Sequence, residues 1–204
     1  MQFFPSNELK KLLRGLTSWG VRGLVVGGIG GGTYEKAYCD ASVKIRRGDI
    51  RSANDVFDDL GRLIPTDDEF KAAFALARVP KSNLARYYLI ALENGAQGSN
   101  EPEFVPNSNE DQVNLEHVLP KNASDADWGA AFTPDERKDW GFRLGNLTLL
   151  QKGPNGRIGN KPFTIKQPVL AASAFQLTNE IGILPDWTPT GIKNRQEGLG
   201  TACR

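Results

Sequence analysis

Between residues 96 and 111 the chain reads Ala-Gln-Gly-Ser-Asn-Glu-Pro-Glu-Phe-Val-Pro-Asn-Ser-Asn-Glu-Asp, a run of Gly, Pro, Asn and acids that sustains neither a helical nor a strand period. It predicts a linker and splits the chain into parts of different character. Residues 1–95 repeat apolar side chains at helical spacing and predict a helical scaffold subdomain. Residues 112–204 hold two short apolar runs, proline-led helix starts and the one histidine of the protein. The expected class is α+β, mostly α.

In the first part, Leu9, Leu12, Leu13 and Leu16 fall at the i, i+3, i+4, i+7 spacing of one helix face, and Trp19 to Val26 extend the segment. Further helices are predicted over Tyr34–Arg47 and Ser52–Leu63. Thr66-Asp67-Asp68-Glu69 has the form of a capping box ahead of Phe70, Ala73, Phe74 and Ala77. Ser82 is the expected cap of a helix carrying Leu84, Tyr87, Tyr88, Ala91 and Leu92. In the second part, Val113–Val118 and Leu147–Leu150 read as strands. Thr133-Pro134-Asp135-Glu136 and Thr188-Pro189 open helices, because Thr caps and proline suits the first helical turn.

Several function classes fall away. The run Gly27-Gly28-Ile29-Gly30-Gly31-Gly32-Thr33 lacks the Gly-Lys-Ser/Thr ending of a phosphate loop and fits no dinucleotide fingerprint, so it reads as a connector. No apolar run approaches the roughly 20 residues of a membrane span. No basic-then-apolar leader opens the chain. Cys39 and Cys203 make no disulfide framework, and a reducing cytoplasm is the expected compartment. The net charge of +1 predicts no general affinity for nucleic acid, but its distribution is uneven. From Gly141 to Leu170 there are five basic residues (Arg143, Lys152, Arg157, Lys161 and Lys166) and no acid. This stretch reads either as a solvated loop or as a phosphate-contacting one.

The chemistry gathers around Leu115-Glu116-His117-Val118-Leu119-Pro120. Phosphodiester hydrolysis needs an activated water, charge stabilisation and help for the leaving oxygen. An imidazole near its ordinary pKa of about 6.5 can supply the first and a Mg²⁺-like ion the others. Mg²⁺ keeps several waters, so one or two protein oxygens suffice; Glu116 offers a carboxylate and Asn155 an amide oxygen. Adjacent residues on a regular strand point to opposite faces, so Glu116 and His117 require a strand end here, which Pro120 fits. A lone histidine is also an ordinary surface residue, and Asn146 and Asn155 are both good turn formers. Trp128 and Trp140 are expected in the core.

The Leu-Glu-His-Val-Leu-Pro motif, Trp128, Leu144-Gly145-Asn146-Leu147-Thr148-Leu149-Leu150, Asn155 and Asn160-Lys161-Pro162-Phe163 with Lys166 resemble the C-terminal nuclease domain of GmrSD-type restriction endonucleases, of the HNH (His-Me finger, ββα-metal) superfamily. The resemblance also takes in Trp19-Gly20-Val21-Arg22, the glycine run with Glu35-Lys36, Ala85-Arg86-Tyr87-Tyr88-Leu89, Trp187 and the Ile192/Arg195 helix. It implies a small ββα-metal core with C-terminal helices within residues 112–204, and a metal-dependent, DNA-nicking endonuclease of a bacterial anti-phage system. His117 would be the general base. Asn146 would be the central asparagine that ties its loop to backbone and positions the histidine strand. Glu116 would be the acidic metal ligand, and Asn155 the last ligand, where the superfamily often has histidine; Asn160 is the alternative. Arg157 and Lys161 would hold phosphate; Arg143, Lys152 and Lys166 are further candidate DNA contacts from the acid-free basic stretch itself. The implied cofactor is Mg²⁺, with Mn²⁺ or Ni²⁺ as chemical alternatives. The implied partners are DNA and a separate N-terminal sensor or NTPase domain that recognises modified DNA. Two further readings stay open: a DNA-binding module with a vestigial site, and an RNA-directed nuclease on the same fold.

Overall fold

The computed structural model describes residues 4–27, 31–98 and 113–202; the middle of the glycine run and most of the expected linker lie outside the described residues. Packing divides the chain into two compact units, Met1–Phe74 and Ala75–Arg204.

The first unit is helical. α1 (Ser6–Val26) and α2 (Gly31–Arg47) are followed by α3 (Ala53–Leu60), whose start is fixed by a capping box between Ser52 and Asp55. A 3₁₀ turn (Gly61–Leu63) leads toward α4 (Asp67–Leu76). There the expected capping box forms: Thr66 N–H donates to Glu69 Oε2 (2.8 Å) and Glu69 N–H to Thr66 Oγ1 (3.3 Å). Leu12, Ala41, Ile50, Ala53, Val56 and Leu60 make the core, with Leu16, Trp19 and Phe57 packed around it. The leucine face of α1 is narrower than its spacing predicts. Leu12 is buried, but Leu9 and Leu13 are 46% and 55% exposed. Apolar spacing predicts which residues share a side of a helix, whereas the width of the stripe that is covered depends on the neighbours.

The second unit holds a two-stranded antiparallel sheet, β1 (Asn114–His117) and β2 (Leu147–Leu150), with Asn114 opposite Leu150 and His117 opposite Leu147. Two strands alone are marginal in water, so helices must cover them. α5 (Ser82–Ala96) packs against both strands, burying Ala85, Tyr88, Leu89 and Leu92. Ser82 is the first helical residue rather than the cap; Lys81 holds the cap position and makes no side-chain cap. α6 (Asp125–Trp128) and α7 (Pro134–Trp140) lie between the strands in sequence, and Thr133 and Glu136 form the expected capping box of α7.

After a 3₁₀ turn (Leu144–Asn146) and β2 come α8 (Lys152–Ile158), α9 (Phe163–Ala171), α10 (Gln176–Gly182) and α11 (Pro189–Ala202). The basic stretch 141–170, open to a loop reading, is therefore largely ordered as β2, α8 and α9. The Glu93 carboxylate of α5 accepts the backbone N–H groups of Gln176 (2.5 Å) and Leu177 (3.0 Å), satisfying donors that the start of α10 would otherwise leave unpaired. The core joins Val118, Leu119, Trp128, Phe132, Leu150, Ile158, Leu170, Ile181, Trp187 and Ile192, with Trp140 partly buried at its margin. The architecture is α+β and mostly α, as expected. Among the described residues no helix is long and apolar enough to cross a membrane.

Candidate active site

The end of β1 is held by one side chain. Asn146, fully buried, accepts at Oδ1 from Leu119 N–H (2.8 Å) and Trp187 Nε1–H (3.0 Å), and donates from Nδ2 to the carbonyls of Leu119 (2.9 Å) and Gly141 (3.1 Å). Both donors and both acceptor positions of the amide are used. Its backbone carbonyl also accepts Val118 N–H (3.1 Å), so the turn before β2 grips the two residues after His117. The bend expected at this strand end is thus fixed by hydrogen bonds, with Pro120 following.

α11 fixes that turn from behind. The Arg195 guanidinium donates to the carbonyls of Gly145 (2.8 Å), Leu147 (2.9 Å) and Leu177 (3.3 Å), and Gln196 Oε1 accepts Gly145 N–H (3.0 Å). Burial lowers Arg195 to about 10, which leaves it cationic at neutral pH. Gly145 has no room for a side chain: a Cβ there would lie 2.4 Å from the Ile192 carbonyl oxygen.

His117 is half-buried and meets the Phe142 ring edge-on, with centroids 6.1 Å apart. Burial, then the positive charges of Lys121 and Lys166, lowers the imidazole to about 4. This differs from the ordinary value of about 6.5 expected from sequence, and it keeps the ring neutral at physiological pH. Glu116, one residue earlier and opposite Thr148, is 5% exposed. Its carboxylate lies 2.5 Å from Lys166 Nζ, which also donates to the His117 carbonyl (2.8 Å). Burial raises the Glu116 carboxyl and lowers the Lys166 ammonium, each against the pull of the other.

The remaining candidates are placed unevenly. Asn155, on α8, donates from Nδ2 to the Leu115 carbonyl (3.3 Å), tying that helix to β1 beside Glu116. Asn160 is exposed beyond the end of α8. Arg157 and Lys161 are exposed, as phosphate contact requires. Lys152 opens α8, and its side chain lies outside the described residues. Arg143 is half-buried, donating to the Ala75 carbonyl (3.3 Å) with its guanidinium 5.1 Å from the Trp140 ring centroid, so part of its capacity is committed within the protein.

Lys166 requires a correction. Expected to contact nucleic acid, it is fully buried, and its ammonium is consumed by Glu116 and the His117 carbonyl. Phe163, Lys166 and Leu170 are the buried positions of α9, and their i, i+3, i+7 spacing would have placed the lysine inward once that stretch was read as a helix. The bonds of Arg195 and Trp187 to the Asn146 turn were likewise not foreseen. Their sequence signal was the presence of Trp187 and the Ile192/Arg195 helix within the resemblance.

At the end of β1 the structure thus brings together a turn locked by Asn146, a half-buried His117, the buried Glu116 next to it in sequence, and, on the helix and loop after β2, the exposed Arg157 and Lys161. The sequence model of GmrSD restriction endonucleases, C-terminal domain, matches residues 64–202, a span that contains both strands and α4 to α11. The chain belongs to this family, which makes it a restriction endonuclease domain whose substrate is DNA. Among curated proteins no match is found.

Proposed function

We propose that this chain is a metal-dependent HNH-type DNA endonuclease that nicks its substrate, with His117 as the general base. The observation that carries the reading is the locking of the strand end that bears His117 by Asn146, which grips the next two residues, Val118 and Leu119. A neutral imidazole has a lone pair for the proton of an attacking water. Asn146 acts through the backbone: it fixes Leu119 and so the direction in which His117 leaves the strand.

The donor set near this strand suits a hard divalent cation. Glu116 brings a carboxylate, and Asn155, whose Nδ2 is engaged by Leu115, has an amide oxygen as its acceptor end. Asn160 is the alternative second ligand. Bound there, Mg²⁺ (or Mn²⁺ or Ni²⁺) would stabilise charge at the phosphate and assist the leaving oxygen. Arg157 and Lys161 bind the phosphate backbone, setting affinity without reading sequence. A partner domain that senses modified DNA and belongs to an anti-phage system completes the reading.

Incubation of the chain with supercoiled plasmid and with structured RNA, in Mg²⁺, Mn²⁺ or EDTA, tests it. The expected result is nicked plasmid with either ion, intact plasmid in EDTA and little cleavage of RNA. Salt-sensitive DNA binding without cleavage under any ion would contradict the reading and favour a DNA-binding module. Preferential cleavage of the RNA would reassign the substrate.

A further inference from the structure

Lysines normally keep the ammonium in water while burying the stem. Lys166 does the reverse: it is fully buried, and its ammonium sits between the Glu116 carboxylate (2.5 Å) and the His117 carbonyl (2.8 Å). A carboxylate and a backbone carbonyl are also the oxygen types that a hard divalent ion takes. The lysine therefore occupies a cation seat made of the same chemistry, on the residue that the endonuclease reading assigns to the metal.

An ammonium at contact distance cancels the negative charge that draws an ion to Glu116. If both cations bound the same carboxylate, they would lie only a few ångströms apart in a poorly solvated place, where like charges repel strongly. We propose that Lys166 and a divalent cation are alternative partners of Glu116, so that loading the ion requires the ammonium to leave, and that Lys166 sets how tightly this chain holds its metal. This rests on the reading of Glu116 as a metal ligand. Lysine here is a resident counter-charge: it keeps a buried carboxylate compensated while no ion is bound, and a bare carboxylate in that position is costly. The exchange transfers no covalent group; one cation replaces another.

Calorimetric titration of the full chain with MnCl₂, comparing wild type, K166M and E116Q, tests the proposal. Removing the competing charge is expected to tighten Mn²⁺ binding by about tenfold or more in K166M, and E116Q is expected to bind more weakly than wild type. K166M binding no tighter than wild type, while E116Q loses binding, would overturn the competition and leave the metal-ligand role of Glu116 standing. Binding unaffected by E116Q, or no binding in wild type and a folded K166M alike, would remove the metal reading and the competition with it.

Since K166M leaves Glu116 buried and unpaired, it can fail to fold. Acetylation of wild-type lysines with an amine-reactive ester, mapped by mass spectrometry, then decides. Lys166 is expected to be protected without metal and to become reactive at saturating Mn²⁺, with exposed Lys161 reactive throughout. Unchanged protection of Lys166 at saturation would overturn the proposal.

Discussion

The two units are built on different principles. In Met1–Phe74 the core is apolar, and its polar contacts, such as Lys36–Asp40, the caps of α3 and α4 and the Lys44–Asp59 pair, lie at exposed or half-buried positions. In Ala75–Arg204 the core is interrupted by polar groups. Arg86, Glu93, Glu116, Asn146, Thr148, Lys166, Thr178 and Gln196, the buried polar and charged side chains among the described residues, all belong to it. Apolar burial is nondirectional and tolerates adjustment; buried hydrogen bonds hold atoms to one geometry and are costly to leave unmade. A scaffold can rest on the first. A strand end held to one geometry needs the second, and Glu116, Asn146, Lys166 and Gln196 gather around the turn and strand end that carry His117.

That contrast can be broken at single residues. The largest loss of stability is expected for Asn146→Ala, which strands the Leu119, Gly141 and Trp187 partners in a dry interior. At about 1–3 kcal/mol for each unsatisfied group, the cost is about 3 kcal/mol or more, measurable by hydrogen exchange in β1 and β2. A cost near that of an ordinary surface substitution would show that the polar lock is dispensable. Gly145→Ala places a methyl group against the Ile192 carbonyl and is expected to cost about 1–3 kcal/mol by overpacking, read by urea denaturation.

The pH dependence sharpens the same point. His117 holds its proton less well in the native state, at about 4, than in the unfolded chain, at about 6.5. The unfolded state therefore binds the extra proton first as pH falls. The contribution of His117 to stability is complete above about 6.5 and declines as pH drops toward 4. For the same reason, the acid limb of kcat/KM is expected nearer 4 than 6.5. Arg157→Ala and Lys161→Ala should weaken DNA binding across all sequences and each reduce the salt slope by about one unit. The smallest effect is expected for Leu13→Lys, on the uncovered side of α1, within about 0.5 kcal/mol.

Much of this was legible in the residues. Thr66/Glu69 and Thr133/Glu136 announced their helices because a capping box is a local contract between two side chains. Leu147–Leu150 read as a strand because it is a short, mostly apolar run, and all four residues are buried in the fold. The motif around His117 and the Gly-Asn pair do meet in the fold, where the Asn146 turn grips the two residues after His117. What escaped was nonlocal. The exposure of Leu9 and Leu13 depends on which neighbours cover α1, and the fate of Lys166 depends on a carboxylate fifty residues away. The neutrality of His117 follows from burial and from two lysines that converge only in the fold. A string of residues carries spacing and capping, but it does not carry which charge meets which.

The central claim is that His117, aimed by Asn146, activates the water that cuts DNA. Single-turnover cleavage of supercoiled plasmid by wild type and His117→Ala, with DNA binding measured in parallel, tests it most directly. The expected result is a fall in rate of about 10²–10⁴-fold with binding unchanged, the range for loss of a positioned general base. A His117→Ala protein that cuts at nearly the wild-type rate would contradict it.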